Sequence, residues 1–177
     1  MRKLLIPVLI IFFTACEEET INHYSDYILF PNKTAESYGC GNIFVYQYLN
    51  DSKVLTVNIV ARNLVLTKEP QTINLSDPNP NVKVVLEIAG NDPDSIYFNY
   101  CNDVGMNIGT TIKYKSISGE LTFSVSEDNP IKEPVWKSSY YVTVKIKNLR
   151  LYNQEKGNKI LINEIVFSNV GVGWLPG

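Results

Sequence analysis

Alternation with a period of two is the strongest constraint on what this chain can fold into. In "KVLTVNIVA", residues 53–61, Leu55, Val57, Ile59 and Ala61 share one phase while Thr56 and Asn58 take the other. In "GELTFSVSE", residues 119–127, Leu121, Phe123 and Val125 oppose Glu120, Thr122, Ser124 and Ser126. Val142, Val144 and Ile146 oppose Thr143, Lys145 and Lys147 in the same way. A strand sends successive side chains to opposite faces, so this pattern sets one side on a core and the other in water.

Further strands are predicted over residues 26–30, 43–49, 72–75, 82–88, 95–101, 111–117 and 159–167. Between the strands lie "SDPNPN", "GNDPDS", "NDVGMNIG" and "SEDNPIKEP", whose Pro, Asn, Asp and Gly end pairing or accept turn dihedrals. No stretch of a dozen residues carries a helical period. The expectation is an all-β fold, an antiparallel β-sandwich of about 8–10 strands in a single domain over residues 25–177. Ile146 is followed by apolar Leu149 and Leu151, a change of phase that predicts a bulge near Lys147 and Asn148.

The N-terminus has a different grammar. Arg2 and Lys3 precede an apolar run from Leu4 to Phe13, and Thr14 and Ala15 are small residues ahead of Cys16. That is the layout of a secretory signal peptide over residues 1–15. The run is about half the roughly 20 residues a spanning helix needs, and Glu17, Glu18 and Glu19 follow directly after Cys16.

The stretch Phe13-Thr14-Ala15-Cys16 resembles the lipobox of bacterial lipoproteins. The resemblance implies that Cys16 carries diacylglycerol, becomes the mature N-terminus and heads an acidic tether over residues 16–24. It also implies an envelope location, as an outer-membrane lipoprotein held in the membrane by the lipid on Cys16. The glutamates resemble the surface-export signal of Bacteroidota lipoproteins, against a plain solvated tether, so surface and periplasm both stay open. The organisation of the whole chain is similar to that of the small β-sandwich lipoproteins of Bacteroidota-type cell envelopes.

With Cys16 assigned to lipid, Cys40 and Cys101 remain, and in an oxidising compartment they are expected to form a disulfide; two buried thiols are the alternative. Removing residues 1–15 leaves 162 of the 177 residues and takes 16 basic side chains to 14 against 18 acidic ones, a charge of −4. No basic cluster stands out for gripping phosphates, so nucleic acid is not an expected partner.

Catalytic chemistry finds few carriers. The single histidine, His23, falls in the tether, far from where a fold could hold it beside a nucleophile. Two separated cysteines and one tethered histidine do not make a tetrahedral zinc set. Glu87 and Glu120 are the carboxylates to weigh for glycoside hydrolysis, and both are expected to be solvated strand-face groups. Asp77, Asp92, Asp94, Asp103, Glu127 and Asp128 fall in turns and offer a weak case for calcium, without any EF-hand spacing. No cofactor is expected. The glycines in "GCGN" and "GMNIG" read as turn residues, because neither opens a helix as a phosphate cradle requires.

Aromatic side chains are the remaining lead, with 11 Tyr, 7 Phe and 2 Trp. Adjacent Tyr140 and Tyr141 cannot both point inward, and Tyr97 opposes the phase of Ile96, Phe98 and Tyr100. Trp136, Tyr141 and Trp174 are the candidate binding residues, since aromatic rings give large contact area at low entropy cost. Three functions follow as expectations: a non-catalytic module binding a glycan or protein; a periplasmic inhibitor or immunity-type lipoprotein inserting "SEDNPIKEPVW" into a hydrolase or toxin; and a hydrolase using carboxylates alone.

Overall fold

The computed structural model describes residues 26–32, 35–61, 64–76, 81–90, 100–101, 111–134 and 138–173. The signal segment, Cys16, Glu17 to Glu19, His23, Trp136 and Trp174 lie outside these residues. So do Tyr97, Asp77, Asp92, Asp94 and Asp103.

Among the described residues, nine strands make an all-β, mostly antiparallel single domain: β1 Tyr27–Ile28, β2 Ser37–Cys40, β3 Phe44–Asn50, β4 Lys53–Ile59, β5 Gln71–Asn74, β6 Val82–Ala89, β7 Thr111–Val125, β8 Tyr140–Asn153 and β9 Asn158–Val172. They form one hydrogen-bonded sheet in the order β1-β9-β8-β7-β6-β4-β3-β2, with β5 joined separately to β7. Of these nine strands, only β1 runs parallel to its partner, Tyr27 opposite Ile160. Strand β2 has no counterpart among the predicted strands, because "SYGC" is too short and too small in side chain to show an alternation. Residues 111–117 and 119–127, read as separate stretches, join into the single strand β7.

Three long strands bend at one level. On β8 the inward phase passes from Val142, Val144 and Ile146 to Leu149 and Leu151 across Lys147 and Asn148. Asn148 sits at φ 50°, the left-handed region that asparagine enters more readily than other non-glycine residues. On β7 the phase passes from Tyr114 to Leu121 and Phe123 through Gly119, whose φ of 142° suits glycine. The pairing of β7 with β8 is irregular there, between Ser116 and Glu120. On β9 the same change falls between Ile162 and Ile165. The predicted bulge is thus one part of a crease that crosses three strands.

The crease divides the roles of β7. Thr111 to Lys115 pair with β6, whereas Glu120 to Phe123 pair with β5. The sheet coils far enough for edge strand β2 to return against the second half of β9. A Cβ on Gly39 would lie 2.8 Å from Val170 Cγ1, so only a residue without a side chain fits the crossing. Tyr140, buried on β8, donates its hydroxyl to the Asn42 carbonyl and joins the same region.

One apolar core fills the concavity, with Phe123, Phe167, Leu55, Leu86, Ile146, Leu149 and Ile160 among its fully buried members. Each such side chain contributes roughly 1.5–3 kcal/mol by leaving water. A second, smaller cluster sits on the convex face of β3 and β4, around Tyr46 and Val54. A face that carries its own apolar cluster no longer reads as simple polar-out alternation.

Candidate functional site

Strand β3 and the residue before it bury Ile43, Val45, Gln47 and Leu49 on one side of the alternation and send Phe44, Tyr46 and Tyr48 to the other. Antiparallel register sets Tyr38 of β2 opposite Tyr46, and Cys40 opposite Phe44. Cross-strand neighbours stand about 5 Å apart, so the rings have no choice but to meet. Tyr38 stacks on Tyr46 with centroids 5.4 Å apart and planes 25° from parallel. Tyr48 meets both edge-on, at 6.1 Å from Tyr38 and 5.8 Å from Tyr46.

The disulfide brings in a fifth ring. Cys40 is bonded to Cys101, and the residue before Cys101, Tyr100, places its ring 5.5 Å from Phe44 and 5.2 Å from Tyr46. The expected pairing is therefore present, between cysteines 61 positions apart in sequence. Cys40, Phe44, Tyr46, Val54 and Ala89 form the floor to which Tyr100 and Cys101 are pinned.

Exposure varies across the cluster. Tyr46 is 7% exposed, while Tyr38 is 43% exposed and presents a ring face to water. The Tyr38 hydroxyl donates to Glu36 at 2.8 Å, and that hydrogen bond holds its phenol above the usual tyrosine pKa. Burial raises Tyr46, with Tyr38 adding to the effect. Tyr100 is raised more strongly, first by burial and then by the charge of Glu87.

Glu87 corrects an expectation. It is 8% exposed rather than solvated, because Val54 of β4 and Lys113 of β7 flank it across the sheet. Its carboxylate lies 3.4 Å from Lys113 Nζ and accepts from Thr111 Oγ1 at 3.3 Å. Glu120 lies seven positions along β7 from Lys113, roughly 20 Å at strand rise. Paired glycosidase carboxylates stand about 5–9.5 Å apart, so Glu87 and Glu120 are not such a pair.

Of the three aromatic candidates, Tyr141 is described. It is 53% exposed on β8 while Tyr140 is buried, as adjacency in a strand demands. Its ring lies over Gly171 on β9 and makes no ring contact with the five-ring cluster among the described residues. The loop carboxylates that are described serve the chain itself. Asp128 Oδ1 accepts from the Lys68 backbone N–H at 2.7 Å, and Glu127 stands 3.6 Å from Lys132. Among the described residues, no group of three His, Cys, Asp or Glu is placed to hold a metal ion. The described part of the "SEDNPIKEPVW" loop is pinned down: Pro130 is buried and the Asn129 N–H donates to the Leu66 carbonyl.

Sequence reasoning missed the cluster because it looked for unusual positions, tryptophans and doublets. The signal was present in "FVYQY", where every second residue is aromatic on the face opposite the core. What the geometry offers is ring faces and phenol edges on a fixed strand pair, suited to stacking and hydrogen bonding. Fold and site together define a disulfide-braced, all-β, mostly antiparallel single domain with an aromatic surface cluster. Comparison with protein-family models, with curated proteins and with solved structures returns no match.

Proposed function

We propose that the chain is an envelope lipoprotein, tied to the outer membrane through lipid on Cys16, whose domain is a non-catalytic module for binding a glycan or protein. The observation that carries the reading is the ring cluster of Tyr38, Phe44, Tyr46, Tyr48 and Tyr100. Such a surface stacks on the apolar faces of sugar rings while its phenols and Glu36 engage hydroxyls, so a glycan is the favoured ligand. The Cys40–Cys101 disulfide supports an exported location, since such bonds persist in oxidising compartments. We read the creased sheet as a sandwich in which the two layers are parts of one sheet. The inhibitor reading rested on a protruding loop at residues 126–136, and the pinning of its described part favours the ring cluster instead.

The test is isothermal titration of soluble oligosaccharides and of candidate envelope proteins into the full chain, repeated on Tyr38→Ala and Tyr48→Ala. Binding lost in both variants, with the thermal melt preserved, supports the reading. Binding that survives both substitutions, or catalytic turnover of the oligosaccharide, refutes it. Location is read from protease digestion of intact against lysed cells, with and without Glu17 to Glu19 replaced by Ala.

A further inference from the structure

We infer that the convex face of β1, β9, β8 and the first half of β7 lies against an anionic bilayer and orients the domain on its membrane. The inference goes beyond the binding function but rests on the anchor at Cys16. Register puts its residues side by side: Ile28 opposite Leu161, Leu161 opposite Arg150, and Lys115 opposite Tyr152, which is opposite Lys159. Their strand neighbours Ile160, Leu151 and Tyr114 point into the core, so this set points out.

The face combines exposed apolar groups with cations. Phe30 is 77% exposed, Ile28 50% and Ile117 41%. Lys113, Lys115, Arg150, Lys156 and Lys159 outnumber the neighbouring carboxylates Asp26, Glu87 and Glu155 by two, on a chain whose overall charge is −2. Lys113 is paired with Glu87, whereas Lys115, Arg150 and Lys159 make no ion pair among the described residues. Two open depressions shape the surface. One of about 320 Å³ lies between Ile28, Arg150 and Lys159, and one of about 760 Å³ between Lys115, Ile117 and Tyr152.

Chain length selects the occupant. Cys16 and Asp26 are ten residues apart, so a lipid on Cys16 holds the start of β1 within roughly 35 Å of the bilayer even at full extension. Among the described residues, the exposed apolar side chains nearest that anchor in sequence are Ile28 and Phe30, just past the exposed Asp26. Aromatic and aliphatic groups settle at the headgroup boundary, and long cationic side chains reach phosphates from there. Each cation beside an anionic membrane strengthens contact roughly fivefold, which suffices once a lipid has already confined the domain.

The full chain, purified from membranes, is reconstituted into vesicles of phosphatidylcholine alone or with phosphatidylglycerol. Lysines are then acetylated and the rate at each is read by mass spectrometry. The expected result is at least threefold slower reaction of Lys115 and Lys159 in the anionic vesicles, with Lys68 and Lys83 unchanged. Arg150→Glu and Phe30→Ser, both at exposed positions, restore the rates. Equal rates in the two vesicles, on a chain lipid-modified at Cys16, overturn the docking face alone. An unmodified Cys16 in the same digest overturns the anchor, and with it the tether argument. Protection that needs no vesicles and grows with protein concentration overturns the inference in favour of a second copy.

Discussion

Adding one methyl group to Gly39 tests how the sheet closes on itself. A Cβ at this position would stand 2.8 Å from Val170 Cγ1, 2.9 Å from Val172 Cγ1 and 2.9 Å from the Gly171 carbonyl oxygen. Apolar atoms rest at about 3.5–4.0 Å, so the methyl of Gly39→Ala is short of room by roughly 0.7 Å on three sides at once. Val170 and Val172 are buried, and branched side chains rarely have a second rotamer to retreat into. The carbonyl belongs to β9 and cannot retreat without moving the strand. Relief therefore requires β2 to lift off β9. Overpacking of this kind costs about 1–3 kcal/mol, and the involvement of backbone places this case near 3. For a domain of this length, each kcal/mol lowers Tm by about 2–4 °C. The expected drop is then roughly 6–12 °C by circular dichroism. A Tm within 2 °C of the parent would refute the packing argument. The double variant Gly39→Ala with Val170→Ala should lose less than the sum of the two single losses, by about 1 kcal/mol, because truncating the valine removes one of the three clashes. Additive losses would sink the argument even if the single variant melts as expected. Because β2 carries Tyr38 and Cys40, Gly39→Ala should weaken ligand binding by the ring cluster as well.

Two further outcomes follow from the same structure. Replacing Cys40 and Cys101 together by Ser opens a loop whose ends are 61 positions apart in sequence and should lower unfolding free energy by about 4 kcal/mol, read from urea titration. A loss below 1 kcal/mol would mean that the unfolded chain gains little freedom. Burial raises the Tyr140 phenol from its ordinary 10.0 to about 12. The folded state then holds its proton more tightly than the unfolded one, so that stability is complete below pH 10 and drains away as pH rises from 10 to 12. Tyr140→Phe should flatten that part of the pH profile while costing about 1 kcal/mol at neutral pH for the lost hydrogen bond to Asn42. An unchanged alkaline slope would contradict the assignment.

What the sequence made legible was whatever alternation encodes. Leu55, Val57 and Ile59, and again Val142, Val144 and Ile146, are buried as their phase requires. The phase slip at Lys147 and Asn148 marked a real irregularity, but its continuation through Gly119 and between Ile162 and Ile165 depends on which strands are neighbours, and alternation carries no such information. The parallel pairing of β1 with β9 joins segments more than 130 residues apart and was equally hidden. At the candidate site, polar phase was taken to mean solvent. That rule failed for Glu87 and for Tyr46, because β3, β4 and β6 carry a second apolar cluster on their outer side. The disulfide was legible because few cysteines were left to combine, whereas the ring cluster needed the register of β2, a strand too short to announce itself.

The place of β9 in the sheet sets a timetable for the chain. Among the described strands, β9 is the one that hydrogen-bonds to β1, and it also supplies the surface onto which Gly39 closes. A chain made from its N-terminus can assemble β3, β4 and β6 into a meander early, each against a neighbour close in sequence. It cannot seat its first strand or close its edge until the last fifteen strand residues, Asn158–Val172, have arrived. Loss of those residues would therefore undo both ends of the sheet at once, and a protease that clips β9 before it docks would act as a checkpoint on the whole domain.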